Sequence, residues 1–388
     1  MKSSIVGVWT LKRLRRPGPV LKCALIILLV TAPMIAALIF VDGMIEGITE
    51  KFIYLSNGHV QLSEFSDLET ARKAAEMDEV LFCDATLSSY CLLYSKTGTA
   101  SLLVKAVEKD YFNDMRKGQL SLEMGEVAGG NTIILSKVTS EALGIGIGDR
   151  LAMMTVSSIS GKDVIRPVLL KVAGLYSSGY EQLDTSLAYM SYDFAQGVFS
   201  SSPVLEILVT KGSTETVKRN LESLAAGLVT DYGDYNRSIY DNFITSKQAI
   251  LIIFLLIAAV ACVNTATVAS EMINDDYRTI AAMKILGLDS RRIMLWAFCT
   301  VFPINMAGLA CGLVLGILIA VNLGPFLHYL GRLGIQSLSF YLLDFKPLVS
   351  LSSILIVSAA IILVSAAAIL IALRSVRKIS PMQLFRQD

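Results

Sequence analysis

Histidine is almost missing from this chain: its 388 residues include only His59 and His328. With so few imidazoles, neither a histidine-based zinc centre nor a Ser-His-Asp triad is expected. No catalytic residue and no metal site are assigned. The pattern G-x-x-x-x-G-K-[ST] is absent too, so the chain has no P-loop on which to cradle a nucleotide. Its most glycine-rich stretch, Gly144-Ile145-Gly146-Ile147-Gly148, is followed by no lysine and reads as a turn. Charge is scarce, at 17% of residues, where soluble domains carry about a quarter. A formal net charge of +1 excludes a nucleic-acid binder that works by global basicity.

What is present is apolar and long. Hydrophobic residues make up 54% of the chain, and four stretches reach the roughly 20 residues needed to cross a bilayer. They are 23–41, 248–270, 293–323 and 348–373. The third is expected to stop at Gly324-Pro325, and its length implies a tilt or a projection beyond the hydrocarbon. None has an ionisable residue at its middle, which argues against a proton- or ion-coupled carrier. Asn264 is the notable polar residue of the second span and reads as an inter-helix hydrogen-bonding group.

Lys and Arg set the orientation. Segments 1–22, 271–292 and 374–388 hold 14 Lys+Arg against 5 acids, whereas 42–247 holds 18 against 27. Loop 324–347 contributes only Arg332 and Lys346. The expected topology has a basic cytoplasmic N-terminus (1–22), a cytoplasmic segment 271–292 and a cytoplasmic tail (374–388). An extracytoplasmic domain (42–247) and an extracytoplasmic loop (324–347) complete it. The first span reads as an uncleaved anchor, since no small-x-small cleavage site precedes Asp42. The fold class is thus an α-helical membrane protein with four transmembrane helices and a large mixed α+β extracytoplasmic domain between helices 1 and 2.

Within that domain, 68–80 and 213–228 have helical periodicity, the latter aligning Val217, Leu221, Leu224 and Leu228. Stretches 168–176 and 204–210 read as strands. Ser136 should cap a helix that Gly144 ends, with a turn at Gly148-Asp149. Met44, Ile48, Phe52 and Leu55 continue the first span outward as a stalk. Cys23, Cys262, Cys299 and Cys311 lie in or at spans as packing residues. Cys83 and Cys91 lie outside, where they form either a disulfide or two buried thiols. In 271–292, Ile280, Met283 and Leu286 share helical spacing, with Arg278 and Lys284 on other faces and Gly287 as a stop. Such a helix either lies on the bilayer or docks a partner.

These residues resemble the FtsX-like permeases of ABC transporters, and most closely the lipoprotein-releasing permeases of the LolC/LolE type. The likeness rests on 11–16 (Leu-Lys-Arg-Leu-Arg-Arg), Met44-Ile45-Glu46-Gly47 with His59-Val60, and Leu135-Ser136 through Gly148-Asp149. Asn264, Ile280 to Leu288, Tyr341-Leu342-Leu343-Asp344, and Arg374 to Arg386 with Pro381 extend it. Asp276 and Thr279 stand where the family's coupling helix carries Lys and Glu, and Thr31-Ala32-Pro33 replaces glycines of span one. The hairpin by which LolC-type subunits engage a soluble carrier is short here, between Met154 and Val168.

The resemblance implies a non-catalytic subunit of the bacterial inner membrane. It pairs with a second permease, a paralogue or itself, and with a cytosolic ABC ATPase dimer; ATP and Mg would bind there, and no cofactor binds this chain. The substrate is an acylated lipoprotein drawn from among membrane lipids and passed to a periplasmic carrier; no nucleic acid is involved. ATPase coupling would fall to Arg278, Ile280, Met283, Lys284, Leu286 and Gly287. The substrate cavity would be walled by Met34, Leu38 and Val41 of span one and Ile250, Phe254 and Ile257 of span two; lipid-facing or packing roles are the alternative. A MacB-like export permease and an FtsX-type transmitter that activates a wall hydrolase are the competing functions.

The topology is testable. In a chain with its native cysteines replaced, a cysteine at Ser177 or Ser337 is expected to react with an impermeant thiol reagent from outside the cell. One at Ser290 should not, and external labelling there would overturn the orientation.

Overall fold

The computed structural model describes residues 17–123, 130–159, 162–224, 227–332, 347–374 and 376. Two compact units emerge: a helical one, from residues up to Met44, Phe243–Phe326 and the last helix, and a sheet unit built mainly from Ile45–Asn242.

Among the described residues, the helical unit contains four helices long and apolar enough to cross a membrane. Helix α1 (Pro17–Phe52) starts on a proline, whose missing N–H is an orphan at a helix start in any case. The other long helices are α9 (Arg237–Asp275), α11 (Ser290–Arg332) and α12 (Leu351–Leu373), with the short α10 (Tyr277–Ile285) between α9 and α11. The expected stop at Gly324-Pro325 is not observed: α11 runs through Pro325 to Arg332. A proline removes one helical hydrogen bond, a loss that long apolar helices absorb when neighbours compensate.

Packing inside this unit depends on three glycines spaced four apart. A methyl added at Gly308 would lie 2.7 Å from the Ala24 carbonyl oxygen, one at Gly312 2.8 Å from Thr31 Cβ, and one at Gly316 2.7 Å from the Ala32 oxygen. The backbones of α11 and α1 therefore touch, as small-xxx-small stripes permit. One turn before Gly308 on α11, the buried Asn305 donates its amide to Ser365 Oγ of α12 at 2.8 Å. This is the inter-helix polar bond expected of Asn264. Asn264 is instead exposed, because it shares the outward face of α9 with Val260 and Val263.

Among the described residues, the sheet unit has ten strands: β1 (Val60–Ser63), β2 (Val80–Tyr94), β3 (Thr99–Val107), β4 (Ser121–Glu123), β5 (Thr132–Ser136), β6 (Arg150–Ile159), β7 (Lys162–Ser177), β8 (Leu187–Ser191), β9 (Val204–Val209) and β10 (Leu228–Asp231). Their order is β10-β1-β9-β2-β3-β8-β5-β7-β4, with β6 bonded to β2 and β7. Most pairs are antiparallel; β3–β8 and β5–β7 are parallel. The hairpin β6–β7 stays in register from Arg150–Lys171 to Ile159–Lys162.

Its helices are α2 (Leu68–Ala74), α3 (Asp114–Lys117), α4 (Lys137–Leu143), α5 (Glu181–Ser186), α6 (Tyr192–Ala195), α7 (Thr214–Ser223) and α8 (Tyr232–Tyr235). Ser136 Oγ accepts from Thr139 N, and Gly144, at φ +59°, ends α4 as expected. Two helices are shorter than their periodicity suggests. Helix α2 ends at Ala74, leaving Val80 to open β2; α7 ends at Ser223, leaving Leu228 to open β10. Val217 and Leu221 are buried, whereas Leu224 and Leu228 are exposed.

The glycine contact yields a prediction. Gly312→Val should cost about 1–3 kcal/mol through overpacking, read as a lower thermal midpoint of the full chain in detergent. Gly146→Ala, whose nearest neighbour would be Asp149 Oδ2 at 3.8 Å, should leave that midpoint in place. Equal midpoints for the two variants would exclude backbone contact between α1 and α11.

Candidate functional site

Three features of the chain offer chemistry: an apolar groove, an exposed apolar edge on α10, and a buried ionic cluster in the sheet unit.

The groove, about 200 Å³, is lined by Met34 of α1, by Leu251, Ile252, Phe254, Leu255 and Ala258 of α9, and by Ile356, Val357, Ala360 and Ile361 of α12. Of the six residues expected to wall a cavity, it brings together only Met34 and Phe254. Leu38 is fully buried in the contact between helices, Ile257 is 45% exposed, and Val41 and Ile250 are half-buried outside the lining. The wall supplied by α12 was missed. Its signal lies in the sequence, as Ser353, Val357, Ile361 and Ser365 recur at helical spacing and are all buried.

On α10 the structure divides the expected coupling residues. Ile280 and Met283 point inward, joining Ile273 of α9, Ile293 and Ala297 of α11, and Ile369 and Leu373 of α12. Lys284 reaches the Val376 carbonyl with Nζ at 2.7 Å, tying α10 to the chain just past α12; burial pushes its ammonium below the usual lysine range. Gly287, at φ +81°, makes the stop. Leu286 remains exposed at 60%, beside Ile285 at 55%, with Arg278, Thr279 and Ala282 on the same outward side. A three-residue period selected Met283 together with Leu286, but the helix places Leu286 a turn from Ala282 instead.

The ionic cluster occupies one face of the central strands. Glu206 on β9, Asp84 on β2, Lys105 on β3 and Tyr189 on β8 lie in neighbouring registers, so alternation sends all four side chains to one side. There they meet the π-helical turn Ile53–Asn57 that ends the stalk. Arg116 Nε donates to the Tyr54 carbonyl at 3.0 Å, Tyr189 Oη to Leu55 at 2.9 Å, and Lys105 Nζ to Ser56 at 2.7 Å. These carbonyls are the acceptors a helix end leaves unpaired, and cations belong at that negative pole. Lys105 also pairs with Glu206 at 2.6 Å, and Arg116 pairs with Asp84 at 2.7 Å while its guanidinium lies 3.7 Å above the Tyr111 ring. Lys105 and Arg116 have no solvent exposure. Burial pushes the Lys105 ammonium down to about 8 against the opposing pull of Glu206, and holds the Tyr111 hydroxyl well above its ordinary value. Sequence reading found the stalk but not this cluster, whose members are far apart in the chain.

Of the two alternatives for Cys83 and Cys91, the structure has the free thiols and not the disulfide. Both residues lie on β2, eight positions apart on one extended strand, roughly 26 Å, and both are free thiols. Burial pushes the Cys83 thiol up to about 11 and raises that of Cys91. Among the described residues no group of three His, Cys, Asp or Glu side chains is placed to hold a metal ion.

Comparison with known proteins places the helical features in context. Residues 251–381 match the FtsX-like permease C-terminal family, so the chain carries an FtsX-like permease domain. It is 24% identical over 210 residues to a lipoprotein-releasing system transmembrane protein LolC of Xylella fastidiosa, covering 52% of this chain and 50% of that protein. It is 27% identical over 232 residues to the protein of the same name from Neisseria meningitidis serogroup B, covering 55% of each. The chain thus spans about half the length of the curated relatives it matches. The extracellular domain of the noncanonic ABC-type transporter YknZ from Gram-positive bacteria aligns with 40% of the chain and 80% of its own length, at 14% identity and a TM-score of 0.29. That score establishes no common fold.

The cluster generates its own test. Glu206→Gln leaves the buried Lys105 without its anion and should destabilise the sheet unit by about 3–5 kcal/mol. Lys105→Met with Glu206→Leu should recover part of that loss in thermal unfolding, the remainder being the donor that the Ser56 carbonyl loses. An unchanged midpoint in Glu206→Gln would mean that the pair is not ionised in the folded protein.

Proposed function

We propose that this chain is the permease subunit of an ABC transporter of the lipoprotein-releasing type, in the bacterial inner membrane with both termini cytoplasmic and the sheet unit outside. The carrying observation is the coincidence of the FtsX-like region, 251–381, with the groove walls on α9 and α12 and with the exposed edge of α10.

The physics of the groove suits an acyl chain. It offers hydrocarbon contact and almost no polar lining, so it can grip alkyl groups without a sequence code. Moving one acyl chain of about 14 methylenes into water costs on the order of 11 kcal/mol at ~0.8 per methylene. A multiply acylated lipoprotein therefore needs an external energy source and a sheltered hand-off to a carrier. On the likeness to permease subunits, ATP hydrolysis belongs to a separate cytosolic ATPase dimer, which the Ile285–Leu286 edge would engage. A second permease would cover the outward face of α9, where the exposed Asn264 amide gains a hydrogen-bonding partner that lipid tails cannot supply.

Two measurements test this reading. Leu286→Asp should release the ATPase from the purified complex while leaving the chain folded, whereas Met283→Asp should unfold it by burying an unpaired carboxylate. A photo-crosslinker at Phe254 should capture acylated lipoprotein in the nucleotide-free complex and lose it when ATP binds. Crosslinks to free lipid alone would remove the substrate assignment. Capture of a wall hydrolase by the sheet unit, with no acylated cargo, would favour the mechanical-transmitter function.

A further inference from the structure

The apolar groove is crowned by charge. Asp42 lies two turns beyond Met34 on α1, with Leu38 between them, about 12 Å along the axis. Lys247 lies one turn before Leu251 on α9, and Ser353 one turn before Val357 on α12. The three stripes that line the groove therefore continue into three polar residues, and these meet. Lys247 Nζ sits 2.7 Å from Asp42 Oδ1 and 3.3 Å from Ser353 Oγ. Ser353 is anchored in turn, donating to Ser350 Oγ at 3.2 Å at the start of α12.

The two charges are unequally placed. The Asp42 side chain is 5% exposed and that of Lys247 31%. Asp42 Oδ1 meets the ammonium as an ion pair without an aligned hydrogen bond. A carboxylate held this far from water is costly to leave alone, so the pair strongly favours keeping α1 against α9. When the pair separates, the partly solvated lysine regains water while the buried carboxylate does not, so the cost of opening falls on Asp42. Close packing already joins α1 to α11 through the glycines, whereas α9 carries no glycine that could bring its backbone against α1 in the same way.

We propose that the Asp42–Lys247 pair, steadied by Ser353, is a latch that holds the ends of α1, α9 and α12 together over the groove. Its opening separates α1 from α9 and admits or discharges the occupant. The occupant as an acyl chain rests on the function proposed above; the latch between helices does not.

Two readouts on the full chain in phosphatidylcholine nanodiscs keep these apart. The first is the pulsed-EPR distance between nitroxides at Val41 and Thr245 in a chain with its native cysteines replaced. The second is photolabelling of the Leu251–Ala258 segment by a diazirine-bearing palmitoyl phosphatidylcholine. Asp42→Asn and Lys247→Met should each lengthen and broaden the distance distribution and raise labelling severalfold. The reversed pair, Asp42→Lys with Lys247→Asp, should restore both to the parent values. A distance unchanged in the single variants, or changed but not restored by reversal, overturns the latch. Distances that follow the expected order while labelling stays flat uphold the latch and count against the groove as an acyl site.

Discussion

Backbone contact between α1 and α11 is the constraint around which the helical unit is organised. Three glycines let the helices approach until backbone meets backbone, and that commits one face of α1 to α11. The adjoining face, carrying Met34, Leu38 and Asp42, is left for α9 and α12. The groove exists because these two helices must pack against a strip of α1 already narrowed by its other neighbour. Leu38 fills the contact completely, whereas Met34, a turn further along, leaves space. A long flexible thioether suits the edge of such a space, since it can repack as an occupant enters.

The sheet unit meets a different requirement by similar means. A helix that ends against a sheet brings carbonyl groups that water cannot reach, and leaving them bare would be expensive. Lys105, Arg116 and two tyrosines take them up, and Glu206 and Asp84 balance the cations. Each member satisfies another, which is why truncating one is expected to be worse than removing a matched pair. In both units, polar groups in dry surroundings sit where chain segments have to be held in one position: Asn305 on Ser365, Asp42 on Lys247, and the cluster on the stalk.

What could be read from the sequence followed from periodicity and length. The four long helices, the stalk from Met44 to Leu55, the α4 cap at Ser136 and the strands at 168–176 and 204–210 all carry local signals. The misjudged points needed long-range information. Asn264 and Asn305 look alike as lone amides in apolar helices, and only the packing distinguishes the exposed one from the bonded one. Ile280 and Met283 have the spacing of a docking face, yet the chain's own helices cover them. The groove was half legible: Met34 and Phe254 line it as expected, and the α12 wall is marked by the stripe from Ser353 through Val357 and Ile361 to Ser365, although that stripe does not say which neighbour it faces. Gly308, Gly312 and Gly316 did carry a readable signal, the small-xxx-small repeat, which the search for spans passed over.

The two cysteines on β2 have a consequence for where the sheet unit can fold. Burial holds the Cys83 thiol up at about 11, which disfavours the thiolate, the form that attacks disulfides and reacts with oxidants. Cys91 is buried outright, and the strand keeps the two from pairing. Neither cysteine of the described sheet unit is bonded, so its fold holds no crosslink that a reducing compartment could break and waits on none that an oxidising one would have to make.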